Sequence, residues 1–201
     1  MQNQPTRPRP SPANVTALAH NRAETMRRLI QARAGGLAEL FTAGFRQATL
    51  IDAEKFCAQF LPDAVPENFA ALDIPLTVVA TDLYRRKEVA FSAGPLRRAL
   101  AASIALPGLM RPVAVDGRIL IDGGATDPLP FEQLRGRADL VVAVDISGVP
   151  PDDRSDMPSA FECLYTTVLV MGSAIVAAKL RHAAPDLVLR PNIGHFRTLD
   201  F

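Results

Sequence analysis

One short stretch of sequence, residues 119–128, constrains the fold of this chain more than any other. It reads Ile-Leu-Ile-Asp-Gly-Gly-Ala-Thr-Asp-Pro. Its three consecutive aliphatic residues are typical of a strand that is buried on both faces, as in the sheets of α/β proteins. Asp122 directly follows this strand, and open α/β sheets bind their ligands at that end of a strand. Gly123 and Gly124 then permit a sharp turn and a close approach between two backbones, although an Asp-Gly turn without any chemical role shows the same pattern.

Turn and capping residues predict the elements around this stretch. In residues 111–121, apolar residues alternate with others on both sides of Asp116-Gly117. This pattern predicts a β-hairpin whose second strand leads to Asp122. Strands are predicted at 76–80 and 87–91, and the apolar run 140–144 is of the parallel-strand type. Helices are predicted at 17–34, at 51–61 with Asp52 as the cap, at 96–103 with Pro95 in the first turn, and from 131 to 135.

Four blocks follow one another in an order that resembles the patatin-like phospholipase family. Residues 75–83 read Pro-Leu-Thr-Val-Val-Ala-Thr-Asp-Leu, and the second block opens at 91–103 with Phe-Ser-Ala-Gly-Pro-Leu-Arg-Arg-Ala-Leu-Ala-Ala-Ser. The Asp-Gly-Gly stretch is the third block, and Ala-Asp-Leu-Val-Val-Ala-Val-Asp-Ile-Ser at 138–147 is the fourth. The resemblance implies a layered α/β fold with a mostly parallel central sheet. It also implies hydrolysis of lipid acyl esters by a serine–aspartate dyad that uses no cofactor.

Within this resemblance, Asp122 matches the dyad aspartate, and Gly123 and Gly124 complete its motif. The family's other motif, a Gly-x-Ser-x-Gly elbow that carries the nucleophile and precedes the block at 75–83, does not occur in the 201 residues. The resemblance therefore implies a partial patatin-like domain at 15–201 that is incomplete at its N-terminus, retains the base and is inactive alone. Its implied partners are a lipid or acyl-ester substrate and a separate nucleophile-bearing half. The alternative is a noncatalytic lipid-binding or interaction protein that keeps the fold.

Composition and charge narrow the class of protein. With 201 residues, of which 48% are hydrophobic, the chain fits one globular domain. Residues 1–14 are rich in proline and are interpreted as a flexible leader. A net charge of +1 without a dense basic block gives no reason to expect nucleic acid as a partner. Five arginines make the N-terminal end locally basic: Arg7, Arg9, Arg27, Arg28 and Arg33. They are interpreted as a solvated tail and helix face in preference to a membrane-surface patch, and contact with a membrane surface is expected to be transient.

Further features bear on location and association. Residues 164–178 form the most apolar run, which is shorter than the ~18 to 20 residues needed to cross a bilayer and is predicted to be a buried helix. Cys57 and Cys163 lack metal-ligand spacing and are predicted to be buried thiols in a reducing compartment. Because no apolar signal segment begins the sequence, a cytoplasmic location is expected. The strands at 76–80 and 140–144 are expected to expose an apolar edge, which predicts self-association.

The other polar residues have structural interpretations. Asp82 and Asp145 follow strands and are predicted to cap the next turn, and Ser103 is predicted to hydrogen-bond locally. The three histidines are scattered, and the acidic loop at 150–158 lacks the ligand spacing of a calcium site, so no metal site is predicted. Three arginines near the second block are either solvated or face a lipid phosphate: Arg97, Arg98 and Arg111.

Overall fold

The computed structural model of the protein describes residues 51–147, 157 and 160–192. The predicted leader at 1–14, the predicted helix at 17–34 and all of the acidic loop at 150–158 except Met157 lie outside the described residues. Within the described residues, helices and strands both occur along the chain, so the protein is of the mixed α/β class that the sequence predicts.

Four strands form an antiparallel sheet in the order β2-β1-β4-β3. They are β1 (Val78–Asp82), β2 (Lys87–Phe91), β3 (Val113–Val115) and β4 (Arg118–Asp122). The prediction of a mostly parallel central sheet is wrong for these strands. The reason lies in the connections: four residues join β1 to β2 and two join β3 to β4, whereas a parallel connection needs a crossover of about a dozen residues.

The predicted hairpin around Asp116-Gly117 is confirmed. Asp116 and Gly117 both have positive φ, at 48° and 72°, as in a type I′ turn, whose twist matches that of the flanking strands. The register of the hairpin pairs Val113 with Leu120. The hairpin therefore sets the position of the C-terminal end of β4, where Asp122 lies.

Strand β1 pairs on both edges, and all five of its residues are buried. It begins two residues later than predicted, at Val78, and it continues through Thr81 and Asp82. These two polar residues remain in the strand because they pair with Ile121 and Leu120 of β4. Tertiary pairing thus extends the strand beyond the apolar run that marks it in the sequence.

Two short helices, α1 (Ala53–Phe60) and α2 (Leu96–Ser103), lie close to each other. As predicted, Asp52 caps α1, because its carboxylate accepts a hydrogen bond from the Lys55 amide at 3.0 Å. Pro95 is predicted to lie in the first turn of α2, but it is the N-cap, one residue before the helix.

Helix α2 covers part of the four-stranded sheet. Leu96 and Ala99 of this helix form a buried cluster with Val78 of β1 and with Phe69. Because such a cluster removes apolar area from water, it stabilises the packing of the helix on β1. Three single 3₁₀ turns complete this part of the chain, and the last of them replaces the helix predicted from 131 to 135: Phe69–Ala71, Gly123–Ala125 and Phe131–Leu134.

A second, smaller sheet consists of two parallel strands, β5 (Val142–Val144) and β6 (Leu187–Leu189). The parallel pairing that the apolar run 140–144 predicts is therefore confirmed over β5. On one face of this sheet, Ala143 is buried in a cluster with Leu129 and Phe131. This cluster connects the small sheet to the segment that follows Asp122.

The opposite face of the small sheet is exposed. The prediction concerned an apolar edge at 76–80 and 140–144, and it is wrong for the first strand because β1 pairs on both edges. Its large aliphatic side chains are between 41% and 69% exposed. They alternate along each strand, as expected for residues that share one face of a pleated sheet. The members of this exposed face are Leu140, Val142, Val144, Ile146, Leu187 and Leu189.

Helix α3 (Ala160–His182) connects β5 to β6 and packs on the small sheet through Val176. The prediction of a buried helix is wrong, since Leu164, Val170 and Met171 are exposed. Its stretch Cys163–His182 is long and apolar enough to cross a membrane by length and composition alone. An apolar run reports hydropathy and not what covers the helix, which is why the sequence did not indicate its exposure.

The two cysteines differ in their surroundings. Cys57, on α1, is buried as predicted, and burial raises the pKa of its thiol to about 11. Cys163, on α3, is exposed, so the prediction of a buried thiol is wrong there because the outer side of α3 is uncovered. Both thiols are free.

Candidate active site

Asp122 is the last residue of β4, and it pairs with Ala80 of β1. Its amide donates a hydrogen bond to the carbonyl of Ala105 at 3.0 Å. Its side chain caps the 3₁₀ turn Gly123–Ala125, because Oδ1 accepts a hydrogen bond from the Gly124 amide at 2.6 Å. Strand pairing and this cap together fix both the backbone and the carboxylate of Asp122.

The environment of Asp122 perturbs its acidity. Burial raises the pKa of the Asp122 carboxyl, the hydrogen bond from Gly124 lowers it, and the net pKa lies above that of an ordinary aspartate. A carboxyl with a raised pKa is a better proton acceptor than a solvated one, which suits it to general base chemistry. Perturbed carboxyls of this kind are enriched at functional sites.

Gly123 and Gly124 have different physical reasons to lack a side chain. A Cβ atom on Gly123 would lie 2.2 Å from the carbonyl oxygen of Val79, so this glycine permits direct backbone contact with β1. A Cβ atom on Gly124 would lie 2.9 Å from Oδ1 of Asp122. The first glycine therefore serves the packing of the motif, and the second leaves room for the carboxylate.

The turn after Asp122 is closed on itself. The carbonyl of Gly123 accepts hydrogen bonds from the amides of Thr126 at 3.1 Å and Asp127 at 2.9 Å. The hydroxyl groups of Thr126 and the buried Thr81 of β1 lie 2.8 Å apart in a hydrogen bond. These contacts attach the whole turn to the central strand.

Sequence reasoning missed an ion cluster beside this turn. Asp127 is buried, and its Oδ1 lies 2.5 Å from Nζ of Lys179 on α3. The same Nζ lies 2.5 Å from Oε2 of Glu132 and donates to the carbonyl of Leu129 at 3.1 Å. One signal in the sequence pointed to it: Lys179 is the charged residue that ends a long uncharged run, and a charge in such a position is rarely buried unless it is paired.

The other candidate residues lie in structural roles. Oδ1 of Asp82 accepts a hydrogen bond from the Arg85 amide at 2.9 Å, and Oδ1 of Asp145 accepts one from the Ser147 amide at 3.1 Å, so both cap a turn as predicted. Ser103 ends α2 and is half-buried. Among the described residues, no group of histidine, cysteine and acidic side chains has the geometry of a metal site.

The arginines of the second block form ion pairs. Nε of Arg97 lies 2.9 Å from Glu67, and Nε of Arg98 lies 3.2 Å from Glu54. Arg111 is exposed. The guanidinium groups of Arg97 and Arg98 are thus engaged with carboxylates, which favours the structural interpretation of these two residues.

Comparisons with known proteins agree with the family that the sequence resembles. The model of the family described as patatin-like phospholipase matches residues 16–135, which is more than half of the chain. An uncharacterised NTE family protein of Mycobacterium tuberculosis is 46% identical over 102 residues, covering 50% of this chain and 28% of that protein.

Two eukaryotic proteins are more distant relatives. Lysophospholipase NTE1 of Debaryomyces hansenii is 30% identical over 129 residues, covering 52% of this chain and 8% of that protein. Patatin-like phospholipase domain-containing protein 7 of Rattus norvegicus is 28% identical over 153 residues, covering 64% of this chain and 11% of that protein. The chain thus spans 28% or less of the length of these relatives. Because the family model accounts for more than half of its residues, the chain belongs to the patatin-like phospholipase family.

Proposed function

We propose that this chain supplies the base of a serine–aspartate dyad that hydrolyses acyl esters of lipids, and that Asp122 is this base. The observation that carries the proposal is the carboxyl at the end of β4, which a Gly-Gly turn holds in place and whose pKa burial raises. The family supports the reaction class. The yeast relative is named a lysophospholipase, which supports a phospholipid-derived substrate.

The geometry suggests how the two carboxylate oxygens divide their roles. Oδ1 of Asp122 already accepts the hydrogen bond from Gly124, which leaves Oδ2 to accept the proton of a serine hydroxyl. The serine oxygen then attacks the acyl carbonyl, the bond to the alcohol oxygen breaks, and the alcohol leaves with the proton that Asp122 took from the serine. Water then attacks the acyl-enzyme and gives a proton to Asp122. The bond between the serine oxygen and the acyl carbon breaks, the fatty acid leaves, and Asp122 returns the proton to the serine.

The serine is proposed to come from polypeptide outside these 201 residues, in the same reading frame or from a separate chain. The sequence holds no Gly-x-Ser-x-Gly elbow. In the described part of the chain, the hydrogen-bond donor to the Asp122 carboxylate is a backbone amide, and no serine hydroxyl has that role. Loss of a dyad nucleophile removes a factor of about 10⁶ in rate, so the chain alone is expected to be inactive.

The test is a complementation assay with a lysophospholipid and a chromogenic fatty acyl ester as substrates. The chain is assayed alone and together with a segment of a patatin-like phospholipase that carries a Gly-x-Ser-x-Gly elbow. Hydrolysis is expected only in the mixture, and Asp122→Asn is expected to reduce it about 10⁴-fold. Asp116→Asn is the matched control, because Asp116 is an exposed turn residue of the same hairpin.

Two results would contradict the proposal. Equal hydrolysis by the wild-type and Asp122→Asn mixtures would show that Asp122 is not the base. A fluorophosphonate probe, which labels activated serines, is expected to leave the chain alone unlabelled. Labelling of the chain alone that disappears in Asp122→Asn would show that one of its own serines is the nucleophile.

A noncatalytic lipid-binding role is the second candidate, and the exposed apolar residues of α3 favour it. Leu164, Val170 and Met171 are exposed on this helix, and exposed apolar surfaces are typical of sites that contact proteins or membranes. Sedimentation with phospholipid vesicles tests this role. A folded chain that stays in the supernatant at every vesicle concentration would exclude it.

A further inference from the structure

The ammonium group of Lys179 has a complete set of partners near the candidate base. Its three hydrogen-bonding contacts are to Oδ1 of Asp127 at 2.5 Å, Oε2 of Glu132 at 2.5 Å and the carbonyl of Leu129 at 3.1 Å. An ammonium group has three donors, so none is left over. Nζ also lies 5.1 Å from the centroid of the Phe131 ring, within the range of a cation–π contact.

The pair is shielded from water. The side chains of Lys179 and Asp127 are 16% and 4% exposed, so their attraction is screened less than that of a surface pair. Burial acts to lower the pKa of Lys179, but the hydrogen bonds and charges of Asp127 and Glu132 outweigh it, and the pKa lies above its ordinary value. Lys179 is therefore charged at neutral pH.

A fourth side chain extends the cluster to the edge of the sheet. Glu88 of β2 accepts a hydrogen bond from Nε2 of Gln133 at 2.8 Å. Burial, together with the hydrogen bond and charge of Asp127, raises the pKa of Glu88. Asp127 thus lies close to groups of both α3 and β2, and its ion pair with Lys179 restricts where its carboxylate can move.

Asp127 also closes the turn that begins at Asp122. Its amide donates to the carbonyl of Gly123 at 2.9 Å. Gly124, whose amide holds Oδ1 of Asp122, lies between these two closing residues. Any rotation of the turn about its attachment to β4 would therefore change the direction of the Gly124 N–H bond.

We infer that Lys179 and Asp127 are positioning residues for the Asp122 carboxylate, acting through the Gly124 amide. The ion pair attaches the far end of the turn to α3, while strand pairing attaches its near end to β1. Asp122 is then held between two fixed points. The relevance of this inference to catalysis rests on the proposed function, but the geometry it describes is measurable without catalysis.

The test uses NMR on the isotopically labelled 201-residue chain. The Gly124 amide proton is expected to shift strongly as Asp122 titrates, because its hydrogen bond strengthens when the acceptor is ionised. In Lys179→Met this pH-dependent shift is expected to fall by about half or more, since a hydrogen bond weakens steeply when its angle is lost. Lys179→Arg is expected to restore most of it, and Lys87→Met, a change of an exposed lysine, serves as the control.

The outcomes separate positioning from simple stabilisation. If Lys179→Met lowers the melting temperature but leaves the Gly124 titration shift and the Asp122 pKa as in the wild type, the inference is wrong. Asp127→Ala removes one acceptor of Lys179 while Glu132 and the Leu129 carbonyl still accept from Lys179, and this variant covers the case in which Lys179→Met fails to fold. A wild-type titration shift in Asp127→Ala would also overturn the inference. Loss of the shift without elbow-dependent hydrolysis would contradict the proposed function and leave the positioning role supported.

Discussion

Replacing Gly123 by alanine is expected to destabilise the chain far more than replacing Gly124. The added Cβ at 123 would lie 2.2 Å from the oxygen and 2.8 Å from the carbon of the Val79 carbonyl, both in the backbone of β1. At 124 the nearest atom is Oδ1 of Asp122 at 2.9 Å, an atom of a side chain and not of the backbone. Neither glycine has a positive φ, so the contacts and not the backbone conformation distinguish the two positions.

The magnitude follows from how far each neighbour must move. Carbon contacts are comfortable near ~3.5 Å, so Gly123→Ala must separate its turn from β1 by roughly 1 Å, which opens the pairing of Ala80 with Asp122. Overpacking costs about 1–3 kcal/mol and occasionally more, and a rigid backbone neighbour puts this variant at or above ~3 kcal/mol. Gly124→Ala needs a carboxylate shift of a few tenths of an ångström and is expected to cost below ~1 kcal/mol.

Urea unfolding followed by circular dichroism measures both free energies against the wild type. The comparison is valid if the three proteins share the same dependence of unfolding free energy on urea. Losses that agree within ~0.5 kcal/mol would refute the reasoning, because additivity errors alone reach that size. The same result would show that β1 yields to the added methyl group as easily as the carboxylate does.

Three other predictions concern charge, thiols and association. Because the folded pKa of Asp122 is raised, the folded state binds more protons and loses stability as pH rises above the ordinary value of ~3.9. Asp122→Asn is therefore expected to gain stability relative to wild type between pH 4 and pH 7, and a constant difference in urea unfolding across that range would contradict this. At pH 8, iodoacetamide is expected to modify the exposed Cys163 in the native protein. The buried Cys57, whose pKa is about 11, is expected to react only after denaturation. Mass spectrometry that finds both cysteines labelled in the native protein would contradict this. The exposed face of the small sheet is expected to cause self-association, and the double variant Val142→Lys, Val144→Lys is expected to reduce it. Gel filtration measures the association, with Tyr84→Lys, at an exposed turn, as the control. Elution of both wild type and double variant as monomers at high concentration would rule this out.

Local chemistry predicted those parts of the fold that depend on nearby residues. The Asp116-Gly117 turn, the Asp52 cap and the strand β2 lie where the sequence places them, because each depends on a few adjacent residues. The direction of strand pairing was not predictable from the apolar runs, since such runs report burial and not the partner. The short connections do determine the direction of strand pairing, and they are present in the sequence. In the folded chain they set that direction, and the apolar pattern does not.

The candidate site likewise has one part that adjacent residues predict and another that depends on contacts between distant residues. Asp122, Gly123 and Gly124 could be proposed from the sequence because the strand end, the acid and the glycines are contiguous there. The contact between Lys179 and Asp127 joins residues 52 positions apart, and no local pattern specifies such a pair. The exposure of α3 likewise depends on what packs against it, which a run of apolar residues does not encode.

The order of strands in the main sheet has a consequence for how the protein folds. Strands β1 and β2, and likewise β3 and β4, form hairpins from neighbouring sequence, and hairpins of this kind form within about 1–10 μs. The pairing of β1 with β4 joins the two hairpins across a long intervening segment, and closing that larger loop costs more chain entropy. Ala80 and Asp122 belong to this junction, which we expect to form after the two hairpins. The candidate base is then assembled in the step that joins the hairpins into one sheet, and the burial of its carboxyl would report that this step is complete.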